Sequence, residues 1–189
     1  MGARRYYFCQ HCGSFHFPEP VDEGVRATAG APPGATCARC RKPMARALLD
    51  EVHEAEYCRN CRGVLLPRRH FAEIVQRRRA WASSPPVPPE PLDRRELERV
   101  VRCPSCSRQM QTHPYYGPGN VVLETCDACD LVWLDHGELQ QIVDAPGRDR
   151  GSREQLPVPR ERTRRSDDEN DGIGTLGSTS LEQLFDLLS

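Results

Sequence analysis

The chain has 189 residues, of which 28% are charged and only 6% aromatic, with 17 prolines and a formal net charge of −1. Such a composition excludes one large apolar core, and no stretch approaches the roughly 20 apolar residues that span a bilayer as a helix. Domains too small to fold on burial alone recruit disulfides or metal, so the ten cysteines become the first question.

The N-terminal segment, residues 1–36, starts with "MGARRYYFCQHC". It has no apolar signal-peptide region, and Tyr6 stands where a myristoylation signal wants Ser or Thr. The expected setting is soluble, reducing and cytoplasmic. Within it Cys9 and Cys12 form a Cys-x-x-Cys pair between aromatic strands. The other eight cysteines pair likewise, as Cys37/Cys40, Cys58/Cys61, Cys103/Cys106 and Cys126/Cys129. Disulfide frameworks rarely place every cysteine this way, whereas a two-residue spacing lets both thiolates of one turn reach the same tetrahedral zinc.

Residues 37–82 and 103–145 read as two copies of one unit. "CARCRKPM" lies over "CPSCSRQM", which aligns Met44 with Met110; 17 residues separate Cys40 from Cys58 and 19 separate Cys106 from Cys126. Beyond the second pair, "CRGVLLPRRHFAEIV" and "CDLVWLDHGELQQIV" run in step. In each unit the residues between the pairs read as a β-hairpin, "ARALLDEVHEAEY" and "QTHPYYGPGNVVLET", the second turning at Gly117, Pro118, Gly119 and Asn120. A hairpin brings its two knuckles around one metal. The expected sites are two structural Zn2+ ions, one held by Cys37, Cys40, Cys58 and Cys61, the other by Cys103, Cys106, Cys126 and Cys129. Four thiolates leave no position for an activated water.

After the last knuckle, "LVWL" predicts a strand leading into a helix, with Asp135 and Glu138 spaced as a capping box. Trp133 is expected inside the ribbon and His136 facing solvent. Between the units, residues 83–102 begin as a proline-rich spacer and become a short helix from about Asp93, with Leu97, Val100 and Val101 on one side. This linker predicts ribbons that behave as separate beads. Residues 146–178 lack apolar periodicity and read as a disordered arm. Residues 179–189 read as a short amphipathic helix with Leu181, Leu184, Phe185 and Leu188 on one face, suited either to a protein partner's groove or to folding back onto the chain's own ribbons. The fold class is thus a small zinc-stabilised α+β chain of tandem zinc ribbons, each a pair of knuckles on a β-hairpin followed by a short helix, with a proline-rich linker and a disordered C-terminal arm.

The stretch Cys103 to Leu139, with Cys-Pro-x-Cys, Met110, Cys-x-x-Cys and "WLDHGEL", resembles the transcription factor IIB-type zinc-finger family. The resemblance implies a zinc ribbon with Cys103, Cys106, Cys126 and Cys129 on the metal, and it carries a transcription-related name. Leu131 departs, since the family usually has Gly there. The first unit is less similar: Gly63 agrees, but Leu65 replaces the Trp and Pro67 the capping Asp, a substitution that a helix start accepts.

Three completions of the Cys9/Cys12 pair stay open: a third zinc finished by His16 with His53 or His70; re-pairing with Cys37/Cys40; or a dithiol, free or sharing a zinc between two chains. His11 lies inside the knuckle and is poorly aimed.

The small net charge conceals a gradient. Residues 1–102 hold 18 Lys+Arg against 12 Asp+Glu, and residues 103–189 hold 8 against 15. Arg59, Arg62, Arg68, Arg69, Arg77, Arg78 and Arg79 concentrate around one knuckle and the helix after it, as a candidate phosphate-binding stripe. No Gly-rich phosphate loop, Ser/His/Asp arrangement or histidine-rich open metal site points to an enzyme or a small-molecule substrate. Three functions follow: a transcription-associated or nucleic-acid-binding factor, a protein adapter using the terminal helix, and a thiol redox sensor through Cys9 and Cys12.

Overall fold

The structure, a computed structural model, describes residues 6–18, 21–29 and 34–153. The sequence patterns become nine strands and two α-helices among these residues. A small antiparallel hairpin, β1 (Tyr7–Phe8) with β2 (Phe15–His16), carries the first knuckle. The first ribbon follows as β3 (Val25–Ala27), β4 (Ala45–Leu49), β5 (His53–Tyr57), β6 (Val64–Pro67) and α1 (Arg68–Trp81). A 3-10 helix, Arg94–Glu98, precedes the second ribbon of β7 (Gln111–Pro114), β8 (Val122–Cys126), β9 (Leu131–Leu134) and α2 (Glu138–Asp144). No helix among the described residues is long and apolar enough to cross a membrane.

The two ribbons are not separate beads. β6 pairs with β9, giving one seven-stranded antiparallel sheet of order β3-β4-β5-β6-β9-β8-β7. Their register sets Val64 opposite Leu134, Leu65 opposite Trp133 and Leu66 opposite Val132. Leu65 and Trp133 hold equivalent places in the repeat, so a local twofold axis passes between them. Both strands are buried on both faces, which unpaired ribbon edges could not achieve. The linker does not hold the units apart either: Val87 donates to the Asp144 carbonyl and Asn120 to that of Glu90.

Side chains alternate across a strand, and the two faces have different cores. Val64, Leu66, Val132 and Leu134 join Phe71, Ile74 and Val75 of α1 and Leu139, Ile142 and Val143 of α2 in one apolar layer. Leu65 and Trp133 point the other way, into a layer made of Met44, Met110, Val101 and cysteines from both ribbons. Trp133 is buried as expected, and Gly63 makes room for it. A Cβ at Gly63 would lie 2.2 Å from Cζ2 of Trp133. Gly63→Ala is therefore expected to cost about 1–3 kcal/mol by overpacking, read as a lower denaturation midpoint with an unchanged denaturant slope.

Pro146 to Arg153, expected to open a disordered arm, instead turn back over α1. Asp149 accepts from Arg79, Arg150 donates to the Ser84 carbonyl, and Arg153 lies over the Trp81 ring. The rest of the expected arm, and the helix with Leu181, Leu184, Phe185 and Leu188, lie outside the described residues.

Candidate metal centres and basic surface

Each hairpin brings its own two knuckles together. The four sulfurs of Cys37, Cys40, Cys58 and Cys61 lie within 4.8 Å of one another, as do those of Cys103, Cys106, Cys126 and Cys129. Close pairs are Cys40 to Cys58 at 3.4 Å, Cys37 to Cys61 at 3.5 Å and Cys106 to Cys126 at 3.7 Å. A tetrahedron with Zn–S bonds of about 2.3 Å has edges of about 3.8 Å, so these sulfurs fit a zinc ion. Re-pairing of Cys37/Cys40 with Cys9/Cys12 is thereby excluded.

The chemistry of the donors fits as well. Hydrogen bonds from Cys37 and Cys61 pull the Cys58 thiol down to about 2, and making those bonds pushes Cys37 up to about 12 and Cys61 higher still. A divalent cation lets all four thiols ionise together. Backbone N–H groups of Arg39 and Cys40 also point at the Cys37 sulfur, each 3.4 Å away. The chain holds two structural four-cysteine Zn2+ sites.

Between the centres lies a buried ionic cluster with no forewarning in the sequence. Arg99, just past the 3-10 helix, donates to Glu124 of β8 and, at 2.6 Å, to Asp135. Arg39, inside the first centre's knuckle, approaches Asp135 at 3.3 Å, and Nε1 of Trp133 donates to its other oxygen. Burial pushes Asp135 up, but the two guanidiniums outweigh it and hold the carboxyl below its ordinary value. Burial lifts Glu124 to about 7 despite Arg99.

The capping box is half realised. Glu138 reaches back and accepts the Asp135 backbone N–H at 2.7 Å, but the Asp135 side chain serves the arginines and Trp133 instead of the helix. Burial, then the charges of Asp135 and Glu124, push the Glu138 carboxyl well above its ordinary value. A carboxyl raised on folding stabilises fully below its unfolded pKa and loses that contribution as pH climbs towards the folded one. Glu138→Gln keeps the acceptor without the charge, so its stability relative to the parent is expected to rise as pH climbs above the ordinary carboxylate range in urea titrations. His136, expected in solvent, is buried: its Nδ1 meets Glu23 at 3.1 Å and its ring meets Phe17 edge-on. The N-terminal segment folds over it, and no local pattern could reveal that.

The structure disperses the arginine stripe. Arg79 is fully buried and donates to carbonyls at the end of α2, at 2.6 Å to Ile142 and 2.7 Å to Ala145. Arg78 is bound to Asp50 and the Glu23 carbonyl, Arg68 to Asp127 and Asp130, and Arg62 lies 4.4 Å over the Phe17 ring. Arg59, Arg69 and Arg77 remain exposed. The exposed cations that do gather are at the tip of the first ribbon, where Arg41 and Lys42 of one knuckle meet the other, Lys42 donating to Asn60 beside Arg59. Arg41 and Lys42 stand outside the stripe expected from the sequence, although both follow a knuckle directly.

Cys9 and Cys12 are exposed, and the bond to Ser14 pulls the Cys12 thiol down to about 7. No third group of three ligand side chains forms among the described residues. The proposed histidine partners go elsewhere: His53 and His70 face each other with centroids 5.2 Å apart, and His16 pairs across from Tyr7.

Residues 102–145 match the transcription factor zinc-finger family of TFIIB-type zinc ribbons. No curated protein and no solved structure matches the chain significantly.

Proposed function

We propose that the chain is a non-catalytic, zinc-dependent nucleic-acid-binding module of the transcription-associated kind suggested by its second ribbon, and that it binds through the tip of the first. The observation that carries this reading is the contrast between equivalent knuckle positions. The first ribbon has Arg41, Lys42, Arg59 and Arg62 where the second has Ser107, Arg108, Asp127 and Asp130. A cleft of about 510 Å³ adjoins the basic tip, lined by Phe8, Phe15, Arg39, Arg41 and Arg99 among others. Aromatic faces beside cations suit a single strand, whose bases stack while its phosphates are neutralised.

Fluorescence anisotropy with labelled single- and double-stranded oligonucleotides across a salt series tests the proposal. With Arg62 held over Phe17, phosphate contacts from Arg41, Lys42 and Arg59 predict a log–log salt slope of about −2 for a single strand. Arg41→Ala with Arg59→Ala is expected to reduce that slope by about 1 to 1.5 units, whereas Arg77→Ala leaves it unchanged. Absence of binding at low salt would sink this reading in favour of a protein adapter.

A further inference from the structure

Three of the four knuckles of the two zinc centres, those opening at Cys37, Cys58 and Cys103, share one pair of backbone hydrogen bonds. The first cysteine's carbonyl accepts from the N–H four residues on, and its own N–H donates to the carbonyl five residues on. The distances are 3.2 and 2.9 Å at Cys37, 2.7 and 2.9 Å at Cys58, and 2.8 and 2.8 Å at Cys103. The residue four positions on adopts positive φ in all four, 61° at Arg41, 59° at Arg62, 61° at Ser107 and 53° at Asp130. Non-glycine residues accept that conformation reluctantly, so its recurrence reflects the needs of the metal-binding turn.

Cys9 and Cys12, which neither centre uses, repeat this fold. Gly13 donates to the Cys9 carbonyl at 2.9 Å, Cys9 donates to that of Ser14 at 2.9 Å, and Gly13 has φ 68°. We propose that this knuckle is half of a third zinc site, completed by the same knuckle of a second copy of the chain.

No third cysteine or histidine joins this pair among the described residues. Eight cysteines are already gathered in the two centres, and the undescribed residues contain neither Cys nor His. Of the histidines, His53 and His70 face each other, His113 sits between Thr125 and Pro114, and His136 is buried against Glu23. His11 lies between the two cysteines and His16 on the strand opposite Tyr7; neither forms a three-ligand group with them. The surface around the knuckle suits a twofold contact. Both thiols are exposed, and Tyr7 beside them is 68% exposed, area that an isologous interface removes from water on both copies. Assembly involves no redox change. Four thiols, two per chain, release four protons to solvent as one Zn2+ binds, giving the same four-thiolate environment as the ribbons.

The full-length chain is purified with zinc under reducing conditions, and its mass is measured by light scattering alongside its metal content. The expected result is a dimer holding one zinc ion per pair of chains beyond the two in each chain. Cys9→Ser with Cys12→Ser should give a monomer with only the ribbon zincs and the parent's near-ultraviolet Trp133 signal, since both side chains are exposed. A parent that is monomeric, or a dimer that persists in the double variant with its zinc content unchanged, overturns the proposal. Nucleic acid plays no part in this measurement, so its outcome is independent of the proposed binding function.

Discussion

Removing zinc with a strong chelator is expected to abolish the sheet of both ribbons in a single transition, seen as loss of the far-ultraviolet β signal and of Trp133 fluorescence protection. The layer on the metal face consists of cysteines from both centres with Met44, Met110, Val101, Leu65 and Trp133. Without the ions, these few side chains do not hold the knuckles together. A structural zinc site supplies about 10–16 kcal/mol at neutral pH, comparable to the whole stability of a small domain. Because β6 and β9 are neighbours in one sheet, damage at one centre should spread. Cys103→Ser is expected to lose the second zinc and also to lower amide-exchange protection in β6. If β6 protection and the first zinc are unaffected, the ribbons are energetically independent despite their shared sheet.

Arg79→Ala should destabilise the folded chain by about 3–5 kcal/mol, whereas Arg77→Ala, two residues away and exposed, should stay within about 0.5 kcal/mol. The last carbonyls of a helix have no partner within it. In α2 the guanidinium of Arg79 supplies that partner, with five donors in a fixed fork, and it also pairs with Asp149 through Nε at 2.5 Å and Nη2 at 2.8 Å. Truncation leaves buried acceptors unsatisfied. Arg79→Lys should recover little, because a single ammonium cannot span Ile142, Ala145 and Asp149. Urea denaturation of the zinc-loaded variants measures both effects. Equal losses for Arg77→Ala and Arg79→Ala would contradict the capping role.

The repeat made the hairpins, the strands after the last knuckles and both metal centres legible, because ligand spacing and alternation are local properties. Arg79, expected in a phosphate-binding stripe, is buried instead: Phe71, Ile74 and Val75 are buried on α1, and position 79 continues that helical face. What the sequence hid depends on pairing across distance. The contact between β6 and β9 follows from both strands being apolar on two faces, a feature that fits a buried strand without saying which neighbour buries it. Arg99 lies in a run of ordinary linker residues, and its role exists only once β8 and Asp135 are beside it. His136 resembled a surface residue until the N-terminal segment covered it.

The local twofold between Leu65 and Trp133 has a consequence for how a joined pair of ribbons can diverge. In a true homodimer any residue beside the axis faces an identical copy, so a tryptophan there would require a glycine on both sides. Covalent tandem arrangement lifts that rule. Here only one half has the large ring and only the opposite half has the space, at Gly63. The position equivalent to Gly63 is Leu131, which by the same symmetry faces the smaller Leu65 and has no such void to keep. Leu131 is thus the complement of a tryptophan missing from the other ribbon, and the second half, which carries Trp133 but no glycine at 131, could not make this contact with a copy of itself.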